Sequence, residues 1–231
     1  MLTQGEVYKL ADNKSAYNAN EYDEKIKKTI PYYEDIYRQI LDIAENYEQK
    51  SIKWLDVGCG TGKLAEILHC KSYIEQLVLC DTSKEMLNIA KQNYRDGNVQ
   101  FEQQDVRSLE YKNQFDVVTA VMVNHYLQPS QRKQSIKNCY NALKNGGIFI
   151  TFENFAPNSE KGKDMFLNRW SNWQLRQGKS CEECNNHKDR YNKSYFPITV
   201  AEHIKLIHEC GFESVELLWL SYMQVGILGI K

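Results

Sequence analysis

The chain has 231 residues, of which 42% are hydrophobic and 26% are charged, and its formal net charge is -1 at pH 7. This composition is typical of globular proteins and excludes a disordered, collagen-like or coiled-coil chain. The balanced charge gives no general attraction to nucleic acid or anionic membranes, and no apolar run could span a bilayer. Because the first residues also lack a signal-peptide pattern, we expect a cytoplasmic protein with no direct nucleic acid or membrane partner.

In chain order, the predicted elements describe one α/β domain over residues 1–231. Residues 1–50 are predicted to be a polar N-terminal arm followed by an amphipathic helix with Ile36, Ile40 and Ile43 on its apolar face. Strands then alternate with helices, which predicts parallel β-α-β units, and the last two strands predict an antiparallel C-terminal hairpin. We expect a Rossmann-like, doubly wound, seven-stranded sheet that is mostly parallel. The predicted strands are 52–57, 76–81, 99–102, 115–121, 148–153, 215–220 and 224–230.

The alternation of strands and helices fails over residues 154–198. This stretch is polar and rich in Asn and Lys, and we expect a helical insertion that covers the active site. Within it, Cys181-x2-Cys184-x2-His187 has part of the spacing of a zinc site, but structural zinc takes four ligands and no second pair is within reach. We therefore expect no metal, and we place these three residues on one face of a helix.

The strongest chemical signal is a Gly-x-Gly-x-Gly turn, residues 58–62, between a strand and a helix. Glycines let the backbone approach a ligand, and a helix N-terminus offers free N–H donors. The next strand ends in Asp81, whose carboxylate can accept both hydroxyls of a ribose. Asp105 follows the third strand, where it could accept the amine of adenine or could be a loop or cap residue. Together these positions predict a nucleoside site at the switch point of a parallel sheet.

These motifs resemble those of the class I S-adenosylmethionine-dependent methyltransferases. The matching segments are 55–62, Asp81, Gln104-Asp105, 115–118 and 143–147. The resemblance implies S-adenosyl-L-methionine as cofactor and S-adenosyl-L-homocysteine as product. It implies that Gly58 and Gly60 pass the methionine portion, that Asp81 holds the ribose, and that Asp105 with Val106 frames adenine. The cofactor-binding set that it implies is Tyr33, Asp56, Gly58, Cys59, Gly60, Asp81, Thr82, Met86, Gln104, Asp105, Val106 and Val121.

The flanking segments are similar to the carboxy-S-adenosylmethionine synthases of the tRNA wobble-uridine pathway. Tyr22-Asp23 and the segments 30–33, 197–203 and 218–231 carry this similarity. Those synthases are expected to hold their extra carboxylate with an Asn in the fourth strand and an Arg in the insertion. Here Val121 stands at the Asn position, and no Arg aligns without gaps, although Arg190 is nearby. We therefore favour an ordinary methyl donor.

His125 is the candidate catalytic residue. It follows the fourth strand, where the reactive methyl group is expected to point, and an imidazole has a pKa suited to a general base. His125 could instead cap its loop or contact the methionine portion of the cofactor. The residues expected at the acceptor are Tyr22, Tyr126, Trp170 and Arg190, although Trp170 could simply pack the insertion on the sheet.

These observations predict an enzyme that moves a methyl group from S-adenosylmethionine to a small-molecule acceptor. Two alternatives stay open. One is an enzyme like carboxy-S-adenosylmethionine synthase, and the other is a module that binds S-adenosylmethionine without turnover. A homodimer is compatible with the sequence, which does not specify the oligomeric state.

Overall fold

A computed structural model describes residues 12–47, 51–94 and 98–231. The strands are β1 (Ile52–Val57), β2 (Ile74–Asp81), β3 (Val99–Gln103), β4 (Phe115–Val121), β5 (Leu143–Asn154), β6 (Ser214–Ser221) and β7 (Gln224–Ile230). The helices are α1 (Ala19–Lys27), α2 (Tyr33–Asn46), α3 (Lys63–Leu68), α4 (Lys84–Asn93), α5 (Pro129–Ala142), α6 (Glu160–Arg176), α7 (Cys181–Asp189) and α8 (Val200–Glu209). Over these three ranges, no helix has both the length and the apolar character needed to cross a membrane.

All seven strands form one sheet with the order β3-β2-β1-β4-β5-β7-β6. Strands β1 to β5 are parallel to one another, whereas β7 runs antiparallel to both β5 and β6. This arrangement confirms the predicted fold class. The chain builds the sheet outward from β1 to β3 and then returns to the other side of β1 with β4. The switch point therefore lies between β1 and β4, where α/β sheets bind ligands beyond the carboxyl ends of their strands.

The hydrophobic core lies on both faces of the sheet. Successive residues of β1 face opposite sides, and Trp54 and Leu55 are both fully buried. On the Trp54 side the sheet packs against α2 through Ile36 and Ile40, and on the Leu55 side it packs against α5 through Ile136. Burial on both faces explains why the parallel strands are continuous apolar runs.

Within the predicted N-terminal arm, residues 19–27 form helix α1. Only Ala19 and Ile26 of this helix are buried, so the sequence carries almost no apolar periodicity to reveal it. Its Asp23 accepts a hydrogen bond of 2.6 Å from the Thr61 hydroxyl of the glycine turn. Residues 1–11 of the predicted arm lie outside the described residues.

Several predicted boundaries differ from those of the structure. Strand β5 begins at Leu143 rather than Ile148, because Leu143 already pairs with Phe115 of β4. Asn154, the first residue of the predicted insertion, is instead the last residue of β5. The segment that follows contains α6 and α7. It closes at its base where Phe155 and Ile198 form a short bridge.

Candidate cofactor and active site

A cavity of about 260 Å³ lies at the carboxyl ends of the central parallel strands. Thirteen of the residues predicted from the sequence line it, and four do not. Those that line it are Tyr22, Gly58, Gly60, Asp81, Thr82, Met86, Gln104, Asp105, Val106, Val121, His125, Tyr126 and Arg190. Those outside its lining are Tyr33, Asp56, Cys59 and Trp170.

The glycine turn adopts a backbone that other residues resist. Gly58 and Gly60 have φ angles of 67° and 56°, in the left-handed region. A Cβ on Gly58 would lie 2.4 Å from the Val123 side chain, whereas a Cβ on Gly60 would meet no atom within 4 Å. Gly58 therefore makes room for the loop after β4. Gly60 keeps open the space in which a ligand would lie against the backbone.

Asp81 is positioned by two main-chain N–H groups at the end of β2. Its Oδ2 accepts from Gly60 N at 2.9 Å, and its Oδ1 accepts from Ser83 N at 2.8 Å. Burial raises the pKa of Asp81, and these two hydrogen bonds oppose that shift. Each carboxylate oxygen can accept more than one hydrogen bond, so Asp81 retains capacity for the two hydroxyls of a ribose.

Asp105 forms an ion pair with Arg107. The Arg107 Nε lies 2.9 Å from both carboxylate oxygens, and the hydrogen bonds from this guanidinium hold the pKa of Asp105 below its usual value. Both residues line the cavity, and Val106 between them is buried. This corner therefore combines an apolar contact surface for a flat ring with polar groups at its edge.

Asp56 lies beneath the glycine turn. Its Oδ1 accepts a hydrogen bond of 2.7 Å from the Thr119 hydroxyl, which itself accepts one of 3.0 Å from the indole N–H of Trp54. Burial raises the pKa of Asp56 to about 7. In this structure Asp56 therefore joins β1 to β4 through a buried hydrogen-bond network.

Three other predicted site residues are also buried away from the cavity. The hydroxyl of Tyr33 lies 3.3 Å from that of Tyr37. Cys59 is buried in the glycine turn. Trp170 of α6 donates from its indole N–H to the Thr29 carbonyl at 2.6 Å, so it fastens the insertion to the segment between α1 and α2.

His125 and Glu153 form a fully buried pair beside the cavity. The imidazole Nδ1 lies 2.7 Å from Glu153 Oε2, and only 1% of each side chain is exposed. Glu153 also accepts hydrogen bonds from the main-chain N–H groups of Asn124 and His125 and from the hydroxyl of Thr151. Burial alone would raise the pKa of Glu153, but the hydrogen bond and charge of His125 outweigh it, and the pKa is lowered.

This pairing determines which imidazole nitrogen can accept a proton. A carboxylate at Nδ1 favours the tautomer with hydrogen on Nδ1 and a lone pair on Nε2. Asn154 approaches both ring nitrogens, its side-chain Nδ2 lying 3.4 Å from Nε2 and its main-chain nitrogen 3.4 Å from Nδ1. His125 thus has the proton arrangement that a general base requires.

Residues 12–17, here called the N-terminal strap, cross the cavity from one wall to the other. At one end, Asp12 accepts hydrogen bonds from the Ser83 hydroxyl and from Glu85 N at the start of α4. At the other end, Tyr17 contacts the hydroxyl of Thr29 at 2.5 Å. Residues 13–17 of the strap therefore line the same cavity as the glycine turn and Asp81.

The α6–α7 segment supplies the remaining wall through Arg190 and Tyr195. One Arg190 nitrogen donates to the main-chain carbonyl of Lys14 in the strap at 2.8 Å. Arg190 also lies beside Tyr126. Burial raises the pKa of the Tyr126 hydroxyl, and the nearby guanidinium opposes that shift.

The residues of this cavity fit S-adenosylmethionine. Asp81 offers hydrogen-bond acceptors for ribose hydroxyls, Val106 and Met86 offer apolar surface for a base, and Gly60 leaves the backbone accessible. Neither the fold alone nor a glycine turn alone would distinguish this ligand from others.

Comparison with known proteins agrees with this arrangement. Residues 55–147 match the family model of a methyltransferase domain. The expected resemblance is confirmed. A crystal structure of a SAM-dependent methyltransferase from Methanosarcina mazei superimposes with a TM-score of 0.60 at 19% identity, covering 82% of this chain and 96% of that one. The predicted cofactor, S-adenosylmethionine, is the cofactor of the methyltransferases that this chain resembles.

Curated relatives extend the similarity to most of the chain. The carboxy-S-adenosyl-L-methionine synthase of Staphylococcus epidermidis is 22% identical over 94% of this chain and 96% of its own length. The protein of the same name from Nautilia profundicola is 25% identical over 87% of this chain and 86% of its own length. The similarity therefore includes the regions on both sides of the methyltransferase domain.

The sequence analysis did not single out Glu153, Asn154 or the strap. Glu153 had a recognisable signal, because it is an acid that directly follows the mostly apolar run 148–152 of β5. The strap had none, since its role depends on contacts with distant segments.

Proposed function

We propose that this chain is an S-adenosylmethionine-dependent methyltransferase that acts on a small-molecule acceptor. The observation that supports this most directly is the composition of one cavity. Gly60 and Asp81 form a nucleoside-compatible wall, and His125 with Glu153 supplies a buried base. Asp81 ends β2 and Glu153 lies near the end of β5, three strands away, which corresponds to about 14 Å at the usual strand spacing.

In this proposal the bound cofactor supplies an electrophilic methyl carbon. Asp81 binds the ribose hydroxyls, and the strap excludes water above them. The acceptor lies between His125 and the α6–α7 wall, where Tyr126 and Arg190 contact it. Catalysis then comes mainly from alignment of the acceptor atom with the methyl group in a dry pocket.

His125 removes the acceptor proton through Nε2 when the acceptor is protonated. Glu153 stabilises the resulting imidazolium because its carboxylate already accepts from Nδ1. Replacing His125 by Asn should lower turnover about 100-fold, a typical contribution of general base catalysis, and should leave cofactor affinity unchanged. His208→Asn is the matched control, since His208 bonds the Phe212 carbonyl and does not line the cavity.

The decisive experiment has two steps. Freshly purified protein is denatured, and the small molecules that it releases are weighed by mass spectrometry. Formation of S-adenosylhomocysteine is then followed with a library of phenols, amines and carboxylic acids as acceptors. Release of S-adenosylmethionine or its homocysteine product, with His125-dependent turnover, supports the proposal. Bound cofactor with no turnover on any acceptor would favour a non-catalytic binding module.

Carboxy-S-adenosylmethionine synthesis is the second candidate. Two observations favour it: the curated relatives carry that name, and Arg190 lines the cavity as a cation that could face a carboxylate. Val121 argues against it, because a valine cannot donate a hydrogen bond to a carboxylate. A released species heavier than S-adenosylmethionine by one carboxylate would establish this candidate instead.

A further inference from the structure

A second cavity, here called the outer chamber, opens beside the first. Its volume is about 710 Å³, and it lies between the N-terminal strap and the α6–α7 segment. The two cavities share part of their walls. The residues that line both are Lys14, Ser15, Ala16, Tyr17, His187 and Arg190. A molecule in the outer chamber is therefore separated from the active site only by the strap and by two residues of the insertion.

The walls of the outer chamber are strongly basic. Four cations line it, Lys14, Lys25, Lys179 and Arg190, against a single carboxylate, Glu183. That carboxylate is already engaged, because it accepts from the main-chain N–H of Ser180 in the cap of α7. The excess positive charge contrasts with the formal net charge of -1 for the whole chain.

Within the described ranges, three of these cations form no salt bridge, although Glu183 is near enough to interact with Lys179. Lys179 donates to three neutral oxygens, those of Tyr17, Thr29 and Gln174. Arg190 donates to the Lys14 carbonyl. The Lys14 ammonium interacts electrostatically with Asp105, whose carboxylate is already paired with Arg107. Only Lys25 forms an ion pair, with the exposed Glu21. Convergent cations that outnumber their counter-charges attract an anion from solution.

The charge of this wall does not depend on histidine titration near neutral pH. His187 is buried between the two cavities, and burial together with the neighbouring Lys179 and Arg190 lowers its pKa to about 3. His187 is therefore neutral under ordinary conditions, and the positive charge comes from lysine and arginine alone.

The outer chamber is distinct from the nucleoside end of the active site. Gly58, Gly60 and Asp81 line the first cavity and do not line the second. The nucleoside wall carries the Asp81 carboxylate, which would repel an anion, and the Asp105–Arg107 ion pair, which adds no net charge.

We propose that the outer chamber receives the anionic end of the acceptor, so that the enzyme acts on small molecules bearing a carboxylate or phosphate group. This inference rests on the proposed methyltransferase function and adds the substrate class. Lys179 exchanges one of its three neutral acceptors for the anionic group, which Lys14 also attracts, while the reacting end of the acceptor extends past Arg190 toward His125.

The test is calorimetry on the full chain loaded with S-adenosylhomocysteine. Three probes of similar shape are titrated: 3-phenylpropionate, phenyl phosphate and the neutral 3-phenylpropionamide. Charge-assisted hydrogen bonds predict that at least one anionic probe binds about tenfold more tightly than the amide. Comparison of the carboxylate with the phosphate identifies which group the chamber prefers.

Variants locate the binding. Lys179→Gln should weaken the anionic probe about tenfold and leave the amide unaffected. Lys25→Gln is a second variant in the outer chamber alone; because Lys25 is already paired with Glu21, it should weaken the same probe less than Lys179→Gln does. Lys193→Gln is the matched control, because Lys193 is exposed and lines neither cavity. Circular dichroism checks that each variant is folded.

Three results would overturn the proposal: equal affinity for charged and neutral probes, no measurable binding of any probe, or the same behaviour for Lys179→Gln and Lys193→Gln. Failure of the cofactor function is a separate outcome, seen as absence of S-adenosylhomocysteine binding. In that case the probes are titrated into the unloaded protein. Anion binding that depends on Lys179 would then still show that the outer chamber binds anions.

Discussion

Replacing Gly60 by alanine should weaken cofactor binding while the fold is retained. A Cβ at this position meets no protein atom within 4 Å, so the added methyl group projects into space that the proposed cofactor occupies. Two costs follow. The φ angle of 56° strains alanine by about 1 kcal/mol, which lowers the free energy of unfolding. The methyl group overpacks the ligand contact by about 1 to 3 kcal/mol, which corresponds to a loss of affinity of about 5- to 150-fold.

Gly178→Ala separates these two costs. Gly178 has a φ angle of 86°, also with no atom within 4 Å of its Cβ, but it lies in the connection between α6 and α7 outside the cavity lining. Both variants should therefore lose similar stability in urea unfolding. Only Gly60→Ala should lose affinity for S-adenosylhomocysteine in calorimetry. Wild-type affinity in Gly60→Ala would refute the assignment of the glycine turn to the cofactor.

Three further substitutions test other contacts. Asp81→Asn should weaken S-adenosylhomocysteine binding about tenfold or more. The substitution removes the charge, and either orientation of the new amide leaves one main-chain N–H without an acceptor. Unchanged affinity in calorimetry would exclude a ribose contact. Trp170→Phe should lower the free energy of unfolding by about 1 to 3 kcal/mol, since it leaves the buried Thr29 carbonyl without its donor. Wild-type stability in urea would show that this hydrogen bond is dispensable. His203 is buried, and burial lowers its pKa from 6.5 to about 4, so it binds a proton more readily in the unfolded chain and destabilises the fold as pH falls. Between about pH 7.5 and about pH 5, this lowers the free energy of unfolding of the wild-type chain by about 2 kcal/mol. Over the same interval, His203→Gln should lose about 2 kcal/mol less than the wild type does. An unchanged pH dependence of stability would contradict the burial argument.

The sequence predicted the sheet well where strands are buried on both faces. β4 and β7 have the bounds expected from their apolar runs, Phe115–Val121 and Gln224–Ile230. α8 was also predictable, because the hydrogen bonds between Thr199 and Glu202 form the capping box that its sequence indicates. These signals are local, and each depends on residues a few positions apart.

The parts of the site that could not be predicted depend on distant contacts. Asp12 meets Ser83 across 71 positions, and Arg190 meets Lys14 across 176. No local pattern encodes such pairs. Asp56 shows the converse problem, since it belongs to a motif that the sequence identifies, yet the structure bonds it to Thr119 away from the cavity. A motif locates the turn but does not say which of its side chains face the ligand.

The position of β7 between β5 and β6 imposes an order on synthesis and assembly. A ribosome completes β6 before β7, yet β6 joins the sheet only through β7. Until β7 emerges, the edge of β5 and the whole of β6 have no strand partner, which makes this interval the one most exposed to aggregation. The closing step also requires a close fit, because a Cβ on Gly226 of β7 would lie 2.5 Å from the Phe152 ring. A substitution at Gly226 should therefore trap chains late in folding rather than early.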